Sequence, residues 1–330
     1  MYKVTLIAGD GIGKEVMEGA KIVLDKLDLN LSISEKHAGN DCFKKTGTTL
    51  PSETLNSAKS SDAVLFGATT STPNENSPII TLRKELETYG NLRPIKSFKG
   101  VKCIYDNLDF LIVRENTEGL YSQQETISKD KSEAEALRII TKKASEKISE
   151  LAFKQCIKHN YKKITCAHKS NVLKKTDGIF KESFYKIAQE YPNIKTNDYY
   201  IDATAMYLIT KPQEFDVIVT SNLYGDILSD EGAGLVGGLG FAPSANIGDE
   251  HGLFEPVHGS APDIAGKNMS NPTAMLLSLS MMLDYLNEID LSINLEKAIE
   301  KTLKEKKVLT PDLGGVNTTI EMAKAIANIL

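Results

Sequence analysis

Short apolar runs alternate with helical patterns along most of this chain, and that alternation limits its possible folds more than any other feature. The stretches "VTLIAG", "DAVLFGA", "DFLIVREN", "KITCAHKSN" and "FDVIVTSN" read as strands. Between them, apolar residues at helical spacing predict helices over 14–27, 79–89, 133–158, 178–190, 226–235, 272–287 and 318–329. The last opens with Thr318-x-x-Glu321, the pattern of a capping box. Strands alternating with helices predict an α/β fold. Two tracts break the rhythm. Residues 120–132, "LYSQQETISKDKS", are polar and lack a core pattern, as in an arm or hairpin leaving the body. Residues 241–271 are rich in Gly, Pro, His and Asp and read as irregular; long irregular tracts in compact domains are usually functional.

At 330 residues the chain exceeds one ordinary domain and points to two. Its apolar content of 41% is ample for a core. A net charge of −5 with scattered lysines argues against a nucleic-acid binder. No apolar run reaches the roughly 18 residues of a membrane span. The sequence opens directly on a strand pattern without a signal peptide, and its four cysteines form no C-x-x-C pair. These features predict a cytoplasmic protein that engages neither nucleic acid nor membrane.

The stretch "VTLIAGDGIGKEV" has the strand–turn–helix context of a dinucleotide-binding fingerprint. Its spacing is wrong for one. Gly9, Gly11 and Gly13 give G-x-G-x-G, and Lys14 stands where a third glycine would allow close helix packing. A Rossmann phosphate cradle is therefore not expected, although a tight turn alone does not explain Asp10.

The arginine census is more telling. Of 39 basic residues only four are arginine, Arg83, Arg93, Arg114 and Arg138. A chain that uses lysine wherever positive charge suffices keeps arginine where a planar fork must grip a carboxylate or phosphate. Three of the four lie between 83 and 114, which predicts a clamp for a small polycarboxylate. In "TSNLYGDILSDEGAG", Gly225 is expected to turn the chain into a helix carrying Asp226 and Asp230. The i, i+4 spacing puts both carboxylates on one helix face, where they repel unless a divalent cation rewards the pair.

The strings "GDGIGKE", "NLRP", "VRENTEGLY", "HKSNVLKKTDG", "TSNLYGDILSD" and "EPVHGSAPDIAG…NP" occur in this order over residues 9–272. In this combination the sequence resembles the β-decarboxylating dehydrogenases, the isocitrate, homoisocitrate and 3-isopropylmalate dehydrogenases, over essentially its whole length. The resemblance implies a two-domain isocitrate/isopropylmalate dehydrogenase-like α/β fold that is not Rossmann. Residues 1–92 and 237–330 would form a large cofactor-binding domain, and 93–236 a small domain with the dimer interface and a clasping arm at about 120–138. It further implies a homodimer, with a dimer of dimers left open, that requires NAD and Mg²⁺ or Mn²⁺.

Residue roles follow from the same resemblance. Arg83, Arg93 and Arg114 match the substrate-carboxylate clamp. Asp226 and Asp230 match metal ligands of one subunit, and Asp202 a ligand from its partner. Tyr121 matches the residue that protonates the enol product. Lys169, also from the partner, matches the base for the substrate hydroxyl. Ile12 lies near the nicotinamide end of the cofactor and Asn171 near its ribose. The adenosine end falls to Glu255, His258, Gly259, Ser260, Ala261, Pro262, Asp263, Ile264 and Asn271. Asp263 stands where NAD-preferring relatives use an acid on the ribose, and a 2′-phosphate there would meet its charge.

The implied reaction is metal- and NAD-dependent oxidative decarboxylation of a 2-hydroxy-3-carboxy acid to a 2-oxo acid and CO₂, in amino-acid or 2-oxo-acid biosynthesis. Substrate choice rests on "NENSPIITLRK". Ser77, six residues before Arg83, matches the serine that binds a distal carboxylate in isocitrate-type enzymes, so homoisocitrate or isocitrate is expected. Ile79 and Ile80 fit the apolar pocket of a 3-isopropylmalate enzyme, which is the alternative. A non-catalytic regulatory subunit and a metal-free nucleotide-binding module are the remaining readings. The intact catalytic positions oppose the first, and the Asp226/Asp230 pair opposes the second.

Overall fold

The computed structural model describes residues 1–330 as two compact units. The elements in chain order begin with β1 (Tyr2–Gly9), α1 (Ile12–Leu24), β2 (Leu31–Lys36), α2 (Asn40–Thr46) and α3 (Ser52–Lys59). They continue with β3 (Ala63–Ala68), α4 (Pro78–Glu85), β4 (Gly90–Lys96) and β5 (Asp109–Glu115). Next come β6 (Glu125–Ile127), β7 (Ala134–Ala136), α5 (Lys142–Lys158), β8 (Lys163–His168) and α6 (Thr176–Ala188). Then follow β9 (Lys195–Tyr200), α7 (Ile201–Thr210), β10 (Val217–Thr220) and α8 (Asn222–Val236). The chain closes with β11 (Pro243–Ile247), β12 (Gly252–Pro256), α9 (Thr273–Tyr285), α10 (Ile289–Glu305) and α11 (Thr319–Ala327).

The first unit comprises residues 1–88, 97–106 and 236–330. Its strands run in the order β2-β1-β3-β12-β11, parallel except for the antiparallel β11–β12 pair. β3 reads AVLFGA and is buried at every residue, as a parallel strand covered on both faces should be. Helices α1 and α9 pack on this sheet, with α11 against α1 and α10 against α9. Thr318 and Glu321 form the capping box that the sequence predicts for α11.

The second unit comprises residues 89–96 and 107–235. Its strands run β4-β5-β10-β8-β9, with only β4–β5 antiparallel. In the β4–β5 register Arg93 faces Ile112 and Arg114 faces Asn91, so the two arginines are diagonal neighbours on one sheet face. Strands β6 and β7 pair as a small antiparallel hairpin whose residues are all exposed.

Several expectations need correction. Residues 133–141 are not helical; they hold β7 and end at Thr141, whose hydroxyl caps α5 by accepting from the Ala144 amide. The tract 241–271 contains β11 and β12. Gly225 does not turn the chain, because α8 already begins at Asn222. Glycine is required there by space, since a Cβ would meet Cγ of Arg114 at 2.6 Å. Residues 97–106, expected with 93–236, belong to the first unit, where Phe98 lies 5.9 Å from Phe241. Residues 89–92, expected with 1–92, belong to the second as the start of β4.

Candidate active site

In the second unit, β4, β5 and the first turns of α8 converge on one cluster. Arg93 and Arg114 are buried, 5% and 1% exposed, so their charges need partners within the fold. Asp226 supplies them. One carboxylate oxygen pairs with Nη1 of Arg114 and lies 3.2 Å from Nη1 of Arg93. The other accepts a 2.5 Å hydrogen bond from the Tyr121 hydroxyl. Asp230, one turn on, lies 3.6 Å from the same Arg93 nitrogen. The i, i+4 acids thus share a face, as the spacing predicts, and in this structure arginine offsets their repulsion. Burial, only partly opposed by Arg93, holds the Asp230 carboxyl above its ordinary pKa. Burial and then the Asp226 hydrogen bond raise the pKa of Tyr121, so its phenol stays protonated across the neutral range.

Lys169 and Asp202 sit elsewhere in this unit, as an ion pair at 2.6 Å. The lysine's hydrogen bond lowers the pKa of Asp202, which is otherwise exposed. No group of three His, Cys, Asp or Glu side chains suited to a metal ion forms within the single chain. Asp202 therefore does not join Asp226 and Asp230 in one copy. Asn171 is exposed in the loop after β8.

In the first unit, Arg83 on α4 is paired with Glu255 at the end of β12, at 2.6 Å. Glu255 also accepts from Nδ2 of Asn246, at 2.8 Å. Ser77 is the N-cap of α4 but its hydroxyl makes no capping bond; its carbonyl accepts from the Thr81 amide and hydroxyl. Ile80 and Ile79, three and four residues before Arg83, are its neighbours on the helix surface. Ile79 also packs on the core cluster of Ile7, Val64, Phe66 and Leu82.

The glycine-rich turn after β1 and the loop after β12 meet in this same unit. The Ile12 amide donates to the Ser260 carbonyl at 2.9 Å, and the Thr70 and Ser260 hydroxyls lie 2.7 Å apart. Gly11 has φ +53°, and a Cβ there would run into that Ser260 carbonyl. Glu15 on α1 accepts from the Gly266 amide at 2.6 Å and the Ser270 hydroxyl at 3.0 Å. Asn271 is buried and donates to Asp312 at 3.0 Å. Nδ1 of His258 donates to the Gly259 carbonyl at 3.0 Å, which leaves Nε2 a buried acceptor without a partner. Burial also holds the His258 pKa below the ordinary histidine value, so the ring is neutral. Ala261 has φ +38°, a left-handed conformation, and Pro262 and Asp263 after it are exposed. Ile264 closes a turn by donating its amide to the Ala261 carbonyl at 3.2 Å.

Several residues that shape these clusters were not singled out by the sequence. Asn222 accepts from both Nε and Nη2 of Arg114, at 3.2 and 2.8 Å. Asn91 and Ser229 accept from Arg93. Glu115 accepts from the Thr117 and Glu118 amides, and Glu118 from the amide and hydroxyl of Thr141. Burial raises the pKa of both glutamates. The acids of "VRENTEGLY" therefore fold the loop that delivers Tyr121. Asp10, the acid that the glycine motif alone leaves unexplained, is 3% exposed and accepts from the amides of Asn40, Asp41 and Thr70.

Comparison with known proteins agrees with these motifs. The family model described as isocitrate/isopropylmalate dehydrogenase matches residues 3–326. The 3-isopropylmalate dehydrogenase of Methanothermobacter thermautotrophicus is 56% identical over 99% of this chain and 98% of its own. The homoisocitrate dehydrogenase of Methanocaldococcus jannaschii is 49% identical over 100% of this chain and 98% of its own. The crystal structure of isocitrate dehydrogenase from Methylococcus capsulatus superposes with a TM-score of 0.96 at 42% identity, covering 100% of this chain and 99% of that one. No helix is long and apolar enough to cross a membrane. Motifs, fold and full-length similarity agree: the chain is an enzyme of the isocitrate/isopropylmalate dehydrogenase family.

Proposed function

We propose that this enzyme oxidises and decarboxylates 3-isopropylmalate, with NAD as hydride acceptor and Mg²⁺ or Mn²⁺ as its metal. The observation that carries the substrate choice is the face of α4 beside Arg83. Ile79 and Ile80 are one turn from that arginine, whereas Ser77 caps the helix six residues away and uses its carbonyl to start it. An isopropyl group suits an apolar face, while a distal carboxylate there would be desolvated without a partner. This reading departs from the tricarboxylate preference that Ser77 alone predicts. The identity of 56% to a 3-isopropylmalate dehydrogenase, against 49% to a homoisocitrate dehydrogenase, supports the same direction.

The residues present fit the implied groups. Asp226 and Asp230 offer hard oxygen donors on one helix face, with Asp202 of a second copy as the third. When bound, the metal lowers the pKa of the substrate hydroxyl and offsets negative charge, and NAD takes the hydride. The buried, partnerless Nε2 of His258 suits an N–H donor such as the exocyclic amine of adenine. Asp263 is exposed and fits ribose hydroxyls, with Asn171, Ile12 and the rest of loop 255–271 completing the cofactor contacts.

In this reading Arg83, Arg93 and Arg114 grip the substrate carboxylates in place of Glu255 and Asp226. Lys169 of the partner takes the hydroxyl proton. Tyr121, protonated for the reasons given above, delivers a proton to the carbon that CO₂ leaves. Sharing between copies is supported by the exposed apolar side chains of the second unit, with Met206 and Ile209 on α7, Ile227 on α8 and Val172 beside Asn171. The hairpin at 125–136 serves as the clasping arm.

Values of kcat/KM for 3-isopropylmalate, homoisocitrate and isocitrate, measured with NAD and Mg²⁺, test the substrate. The 3-isopropylmalate value should lead by at least about 100-fold; a higher value for either tricarboxylate would refute the reading. For the cofactor, wild type should clearly prefer NAD, and Asp263→Lys with Ile264→Tyr should shift it toward NADP. Equal use of NADP by the wild type would remove Asp263 from the site.

A further inference from the structure

Arg138 is the one arginine outside the substrate clamp, and it stands where three segments of the second unit meet. Its Nη1 donates to the Thr176 hydroxyl at 2.9 Å and pairs with the Asp177 carboxylate. Its Nη2 donates to the Ser221 hydroxyl at 3.1 Å, immediately before α8, and the guanidinium lies 5.1 Å over the Tyr224 ring. Asp177 is 1% exposed. While one of its oxygens takes Arg138, the other accepts the backbone amide of Lys169 at 2.6 Å. The Lys169 loop is tied on its far side as well. The Ser170 amide donates to Nδ1 of His168, whose Nε2 lies 2.9 Å from Asp198.

We infer that Arg138, acting through Asp177, is a positioning residue for Lys169, holding the loop that presents this amine in register with the start of α8. A buried carboxylate shared between a guanidinium and a backbone amide fixes that amide more firmly than a neutral acceptor would. Without Arg138 the carboxylate is buried without a counter-charge, and the loop must move to rehydrate it. A base displaced by about 1 Å can lose on the order of 100-fold in rate with little effect on binding. The inference rests on Lys169 being the base, and the experiment separates the two claims.

Arg138→Met together with Asp177→Asn removes both charges at similar shape, so the fold survives even if Arg138→Met alone does not. Thermal melts establish that each variant is folded. For the double variant, kcat should fall about 10- to 100-fold while both KM values change less than about threefold. Arg138→Lys in the otherwise native chain should recover part of that loss. In a Lys169→Met background, under single-turnover conditions, the same double change should cost no more than about twofold further, because it acts through the missing amine. A double variant with wild-type kcat, or an equal loss in both backgrounds, overturns the positioning role. Wild-type kcat in Lys169→Met overturns the assignment of Lys169 and, with it, this inference.

Discussion

Asp10 and Asp226 both stand next to a glycine near a strand-to-helix connection, one in each unit, and the chain uses them in opposite ways. Asp10 is 3% exposed, and its oxygens accept three backbone amides. The side chain of Asp226 is 35% exposed and meets Arg93, Arg114 and Tyr121. A carboxylate filled by backbone donors has little left to offer a ligand and serves the fold. A carboxylate held by side-chain cations can exchange those partners for a metal and a substrate. Burial against backbone amides, rather than the presence of an acid in a glycine-rich motif, separates the two.

Substitution at each site sharpens the contrast. Asp226→Asn keeps the size and removes the charge. Turnover of the folded variant at limiting Mg²⁺ should fall at least about 100-fold, since several kcal/mol of charge stabilisation depend on the metal. The melting temperature should also drop, because the buried Arg93 and Arg114 lose a charged partner. Unaltered turnover would place Asp226 with the structural acids. Asp10→Ala should affect stability alone. Three amides lose their acceptor, so denaturant unfolding should show a loss of about 3 kcal/mol, while folded enzyme keeps its turnover number. A selective loss of kcat with unchanged stability would break the comparison.

The smallest effect is expected at Asp198, an acid on the structural side within the second unit. It is shared by Lys181, Tyr185 and His168, and those hydrogen bonds outweigh burial to bring its pKa down to about 2. A depressed carboxylate stabilises the fold above its ordinary titration range, and that contribution is lost as pH falls through the folded value. Asp198→Asn should flatten the decline in stability between about pH 4 and pH 2, leaving the profile near neutrality parallel to wild type. An unchanged acid limb would show that the network does not govern acid stability.

Much of this was legible in the chain, for identifiable reasons. Arginine is rare enough that three within 32 positions stood out, and the i, i+4 spacing of Asp226 and Asp230 survives folding intact. What sequence periodicity missed depends on partners distant in the chain. The amides that fill Asp10 lie 30, 31 and 60 residues away, and Asn222 reaches Arg114 across 108 residues. β2 escaped notice because as an edge strand it exposes four of its six residues and lacks an apolar run. Residues 133–141 read as helix because their composition continues into α5; only the Thr141 cap shows where that helix starts. The substrate was the least legible feature, because Ser77 and the pair Ile79 and Ile80 lie at the start of the same short helix before Arg83 and pull in opposite directions.

In the proposed function a second copy completes each site; within one chain Asp202 and Lys169 pair with each other and form no metal-suited group with Asp226 and Asp230. Complementation tests this sharing most directly. Lys169→Met and Asp226→Asn, each nearly inactive alone, are unfolded together, refolded as an equimolar mixture, and the mixed dimers verified by native mass spectrometry. If Lys169 of one chain serves Asp226 of the other, each mixed dimer regains one intact site. The mixture should then recover about a quarter of wild-type activity, half of the dimers carrying one working site of two. Activity no greater than the mean of the two parents, in a mixture proven to contain mixed dimers, would contradict the shared site.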